Sequence, residues 1–182
     1  MEKIDIPAIH QIAIEQLLDN NPVPTFVINL DHVIIHWNQA CELIIGAPAS
    51  QMVGTKNQWR PFYEYPRPVM ADLMLDDQRG VLASQFYQGK YRNSKSIPGA
   101  LEAEDYFPHF PGGGRWLFFT AAPLRDHNGV IVGAIETLQD ITDQKRQRKA
   151  FTTPIINLSN GSFVARRLWQ KPIPPCRKRL AG

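Results

Sequence analysis

The chain has 182 residues, 43% hydrophobic and 20% charged, with a formal net charge of +3. That composition fits one globular domain with flanking sequence and excludes a disordered or collagen-like chain. No apolar run approaches the roughly 18 residues needed to cross a bilayer, and the mixed-charge start Met1-Glu2-Lys3-Ile4-Asp5 is not that of a signal peptide, so a cytoplasmic protein is expected.

Residues 7–20 predict a helix. Pro7 suits a first turn, Ile9, Ala13 and Leu17 form an apolar stripe widened by Ile12, Ile14 and Leu18, and Asn20-Asn21-Pro22 ends it. So wide a stripe must pack on the domain or on a second copy of the chain. Residues 25–30 and 33–37 are β-branched and aromatic runs joined by a reversal at Asp31-His32, and they predict two strands. Asn38 is placed to cap a helix over 39–45, which Gly46 ends, and 48–53 adds one short turn. Pro61, Pro66 and Pro68 break up the middle, leaving short helices over 69–75 and 81–88 and a polar stretch over 90–100 that turns at Pro98-Gly99. A weak strand follows at 101–106. The strongest strands are 115–124 and 130–138, joined by Arg125-Asp126-His127-Asn128-Gly129, whose Asn-Gly pair tolerates positive φ. Gly112-Gly113-Gly114 precedes a strand and not a helix, which argues against a phosphate loop.

From Asp140 an exit helix begins, and Pro154 bars it from going far. All 17 acidic residues fall within 1–143 against 10 basic ones, a net −7, whereas 144–182 holds 10 basic residues and no acid. The chain therefore divides into a flanking helix over 1–20, a domain over 21–143, and a basic, Pro-rich piece over 144–182 that is expected to be poorly ordered beyond the helix start. Cys41 and Cys176 supply neither a disulfide framework nor a metal site, and His10, His32, His36, His109 and His127 have no ligand spacing. No serine sits in a nucleophile elbow and no carboxylate pair has metal spacing, so no enzyme is expected. Helix, two strands, short helices, then three strands predicts an α+β fold: an antiparallel sheet covered by helices on one face.

Two stretches carry a family resemblance. One is Asn21-Pro-Val-Pro-Thr-Phe-Val-Ile-Asn-Leu-Asp with His36-Trp-Asn-Gln-Ala-Cys-Glu and Gly46. The other is Arg115-Trp-Leu-Phe-Phe-Thr-Ala-Ala-Pro-Leu-Arg-Asp with Gly129-Val-Ile-Val-Gly-Ala-Ile-Glu-Thr-Leu-Gln-Asp-Ile-Thr-Asp. Over residues 20–145 the chain resembles the PAS domain with its trailing PAC segment, as found in bacterial sensor kinases, chemoreceptors and cyclic-di-nucleotide enzymes. The resemblance implies a five-stranded antiparallel sheet and helices enclosing a pocket, a two-component or related sensor role, a homodimer, and relay to an output domain or partner protein. It also implies that a haem ligand would come from the helical middle, and residues 55–100 contain no His. A photoactive flavin would need an Asn-Cys-Arg context there, and Cys41 lies in another helix, which leaves a non-covalent flavin or a small organic ligand open. The exit segment departs from the family pattern, with no kinase phospho-acceptor box, cyclase signature or helix-turn-helix. Either the output is another polypeptide or the chain is a truncated relative.

Within that frame, Arg60, Tyr63, Arg67 and Asp72 suit an organic anion, because guanidinium groups present planar forks of donors to a carboxylate. The plainer reading of the same residues is structural, tying Pro-rich loops together with Asp72 pairing one arginine. Trp59, Phe62, Tyr65, Phe86 and Tyr87 could line a pocket or fill a core. On the strand over 115–124, Trp116, Phe118 and Thr120 share one face while Leu117 and Phe119 share the other. Parity does not say which face is inward; Thr120 is carried as a ligand candidate. Glu136 and Gln139 either sense a ligand or face solvent, and Asp140, Ile141 and Thr142, with the cap at Asn38, form the candidate relay. His36 is expected to face solvent or a helix. The basic clusters over 145–149 and 177–179 suit nucleic acid or anionic lipid, with solvated flanking sequence the plainer reading.

Overall fold

The computed structural model describes residues 14–110 and 113–152. The first turns of the predicted N-terminal helix, Gly112, and the basic tail from residue 153 with its expected disorder lie outside the described residues.

Chain order begins with helix α1 (Ile14–Asp19), which buries none of its residues, followed by strands β1 (Thr25–Asn29) and β2 (Ile34–Trp37). The reversal between them is set by Asn29, whose Oδ1 accepts the N–H groups of Asp31 and Val33, with His32 at φ +62°. Asn38 then caps the next helical segment: its Oδ1 accepts the Cys41 N–H at 2.9 Å. That segment ends as a π-helical turn (Cys41–Ile45) closed by Gly46 in the left-handed region. Short helices α2 (Ala49–Met52), α3 (Met70–Leu73) and α4 (Arg79–Tyr87) follow, then strands β3 (Tyr91–Asn93), β4 (Leu101–Phe107), β5 (Arg115–Arg125) and β6 (Ile131–Asp140), and finally helix α5 (Thr142–Thr152). In the β5–β6 hairpin Asp126 Oδ1 accepts the N–H groups of Asn128 and Val130, and Gly129 takes φ +82°.

The strands form one antiparallel sheet in the order β2-β1-β6-β5-β4-β3. This is the α+β architecture expected, with six strands instead of five. The sixth, β3, is three polar residues with no alternation to announce it, and it exists because Tyr91 pairs with Ala103 across β4. Cross-strand register decides the faces. Phe26, Glu136 and Ala121 stand side by side on the inner face, as do Ala103, Phe119 and Leu138. Val27, Ile135 and Ala122 share the outer face. Helix α3 lies across the inner face, where Val69, Met70, Leu73 and Met74 are fully buried against the sheet. This part of the middle segment thus covers the sheet as a lid, held by burial of these apolar side chains.

Candidate functional site

Glu136 is the centre of the site. Strand β6 is flanked by β1 and β5, so a side chain on its inner face has no edge to escape by. Glu136 is 3% exposed, and the alternative of a solvent-facing strand position is corrected. Its Oε2 accepts one hydrogen bond, from the Ala71 N–H of α3 at 2.8 Å. Burial pushes its pKa up to about 8; the Ala71 N–H pulls it down, and the nearby Asp72 carboxylate raises it further. A small cavity of about 10 Å³, room for roughly one water, lies beside it, lined by Phe62, Tyr63, Val69, Tyr87, Phe107, Phe119 and Leu138. Burial holds the Tyr63 phenol up at about 12, with Arg67 pulling the other way, and pushes Tyr87 well above its ordinary value. Both phenols therefore stay protonated at neutral pH.

The arginine cluster expected from the sequence does not assemble. Arg60 is exposed and is not among the residues that line this cavity. Arg67 stacks over the Tyr63 ring at 4.1 Å, also faces Phe86 and Tyr87, and donates from Nη2 to the Phe86 carbonyl at 3.1 Å. Phe86 therefore serves as a wall for Arg67 and is not among the cavity-lining residues. Asp72 pairs with neither arginine. Its Oδ1 meets His32 Nδ1 at 2.8 Å and Gln58 Nε2 at 2.7 Å, and its Oδ2 accepts the Val69 N–H at 2.9 Å. The last is half of a capping box, a carboxylate at the third helical position reaching back to the helix start. Asp72 thus fastens α3 to the β1–β2 turn. Trp59 is half-buried against the core, away from the cavity. Thr120 stands on the outer face beside Glu102 and Thr137, opposite to Glu136, and its assignment as a ligand contact is corrected by strand parity. Tyr65 is 76% exposed.

His32, Gln58, Phe107 and Phe119 were not singled out as site residues by sequence. Phe119 was legible as one of two alternating sets on β5; His32 and Gln58 reach Asp72 across 40 and 14 residues of chain, and nothing local marks them. His36 meets Asp19 of α1 at 3.3 Å, so it faces a helix. Among the described residues no group of three or more His, Cys, Asp or Glu comes together to hold a metal. Burial raises the Cys41 thiol to about 12, a structural cysteine.

The relay candidates gather at one end of the sheet, where the start of β1 and the end of β2 lie beside the end of β6. Asn38 is fully buried; besides Cys41, its Oδ1 accepts the Thr25 N–H, and its Nδ2 faces the carbonyls of Leu18, Asn21 and Val23. One side chain therefore ties α1 to β1. At the same end, past the last residues of β6, Asp140 Oδ1 accepts the Thr142 N–H and so caps α5, Thr142 Oγ1 accepts the Trp116 N–H, and the buried Ile141 donates to the Trp116 carbonyl. Lys145 pairs with Glu104 and lies over the Trp116 ring. Gln139 is exposed and stands opposite Phe118 on β5.

An antiparallel sheet with a helical lid over its inner face and a capped exit helix is the arrangement, and the stretch that builds it matches a family model. The model for the PAS domain matches residues 22–143. The chain belongs to the PAS family. PAS domains are sensory and signalling modules, and solved PAS structures are among the chains this one is similar to. The PAS domain of BvgS from Bordetella pertussis is 16% identical, with 75% of this chain and 89% of that chain covered at a TM-score of 0.46. A PAS domain from Colwellia psychrerythraea is 21% identical, with 70% and 93% covered at 0.44. An RNA-binding light-oxygen-voltage receptor is 19% identical at 0.51, and the match takes in 82% of this chain but 40% of that receptor. Comparison with curated proteins finds no match. No helix among the described residues is long and apolar enough to cross a membrane.

Proposed function

We propose that this PAS domain is the input end of a signalling system, and that a small molecule held between α3 and β6 is its signal. Glu136 carries the reading. A carboxyl group removed from water with a single backbone donor is costly, and such groups gather where proteins meet ligands. The aromatic cavity beside it offers room for about one water, so a larger ligand enters by displacing α3 or the irregular segment over 57–69. Displacing α3 breaks the Ala71–Glu136 bond, and β6 carries the change four residues, roughly 13 Å, to the Asp140 cap of α5. A ligand moves such an equilibrium only through unequal affinity for its two states. The reading is of a cytoplasmic, non-enzymatic binding module acting on an output domain or partner protein. Ile14 and Leu17, 74% and 57% exposed on α1, support a homodimer through that helix.

Native mass spectrometry with an absorbance scan of freshly purified protein tests it. A mass above that of the chain, released on denaturation, is the expected result. The small size of the cavity favours a second reading, a ligand-free dimerisation module filled by its own side chains. That reading expects the bare mass, no bindable ligand, and self-association that persists throughout.

A further inference from the structure

We propose that α3 is a proton-operated latch: with Glu136 protonated the helix stays closed on the sheet, and loss of that proton releases it. This latch goes beyond the ligand reading, because it needs no bound molecule. On the sheet, Glu136 stands between Phe26 and Ala121, both fully buried, and neither side chain offers it a donor. From above, its Oε2 receives the Ala71 N–H, within a helix of four residues. The one hydrogen bond that serves the carboxyl group therefore comes from the lid itself. The next residue of that helix, Asp72, is a second buried carboxylate. Ionised Glu136 thus sets two like charges against one turn of helix, beside a hollow with room for about one water.

Among the described residues, the other titratable and charged groups around Glu136 leave such a charge unanswered. Tyr63 of the segment before α3, Tyr87 of α4 and Cys41 of the π-helical turn stay protonated at neutral pH. Arg67 lies over the Tyr63, Phe86 and Tyr87 rings, with Nη2 on the Phe86 carbonyl and Nε buried without a partner. Its charge acts on the two phenols and is not among the influences that move Glu136. His32 reaches the helix through Asp72 Oδ1. Once α3 lifts, water reaches Glu136 and its pKa returns toward the ordinary 4.5, against about 8 while closed. The closed helix therefore holds the proton more tightly than the open one. The latch is firm below the lower value and loosens as pH rises toward the upper one.

Hydrogen exchange on the full chain tests this at the Ala71 and Met74 amides, which are bonded to Glu136 and to the Ala71 carbonyl. Each rate is divided by that of the same residue in an unstructured peptide, which leaves the opening constant of the helix. These amides are expected to open while β5 and β6 stay protected. Their opening constant should rise about tenfold from about pH 6 to about pH 7 and level off above about pH 8. In Glu136→Gln that rise disappears. In His32→Asn it persists, because Asn suits the positive φ of that turn and only the imidazole is lost. A rise that survives Glu136→Gln or vanishes in His32→Asn overturns the latch, as does an α3 that exchanges only together with the strands. If Glu136→Gln folds poorly, the wild type and His32→Asn still decide. The test runs on ligand-free protein, so failure of the latch and failure of the pocket reading are told apart.

Discussion

Glu136 makes stability depend on pH in the direction opposite to most carboxylates. Its folded pKa of about 8 lies above the ordinary 4.5, so between those values the folded state holds a proton that the unfolded state has lost. Stability from this group is full below the unfolded value and falls as pH rises through the folded one, by a few kcal/mol in all. Urea midpoints measured across that window should decline in the wild type, and Glu136→Gln should remove the part of the decline that belongs to this residue. Asn38→Ala should cost about 3 kcal/mol in the same assay, because it strands the N–H groups of Thr25 and Cys41 and the carbonyls that Nδ2 serves. Asn38 was legible in the sequence, since a cap is a local matter of one oxygen and the turn that follows. Glu136 was not. It shares parity with Ala134 and Leu138, but Ile135 on the opposite face is also apolar, and both faces of β6 read as buried. The arginines misled for a related reason: a guanidinium can stack on rings as readily as it binds a carboxylate, and residue type does not say which.

At the scale of elements, three of the contacts that hold the start of α5 to the domain meet at Trp116. Thr142→Val keeps the side-chain shape but removes the oxygen that accepts the Trp116 N–H. Hydrogen exchange in 143–149 should quicken about tenfold, the worth of one lost bond, while β1 and β6 keep their protection. If α5 exchanges unchanged, the Thr142–Trp116 bond does not set its attachment. The helices and long strands followed from periodicity, prolines and turn residues, and their ends moved by a residue or two. Strand β3 escaped because three polar residues at a sheet edge gain order from the neighbour they pair with and not from their own pattern.

At the scale of the whole molecule, the strands made last lie in the middle. β6 pairs with β1 and β5, so the first hairpin and the β3–β4 edge join only through the final strand. A chain ending at residue 129 should show no cooperative urea transition, whereas one ending at 152 should unfold in a single step, both followed by tryptophan fluorescence. Folding should be slow for the chain's size, because loops must close across the whole domain before β1 gains its inner neighbour. The general layout was legible from element order alone, but the hollow's shape was not, because it depends on which rings turn inward once the layers meet. The same layout also governs association. The rims of the sheet are its shortest strands, four residues in β2 and three in β3, while the longest lie inside. So short a rim is a poor template for strand addition, and another copy of the chain or a partner protein is steered to the broad sides of the layer and to the flanking helices α1 and α5, which leave the sheet at the same end.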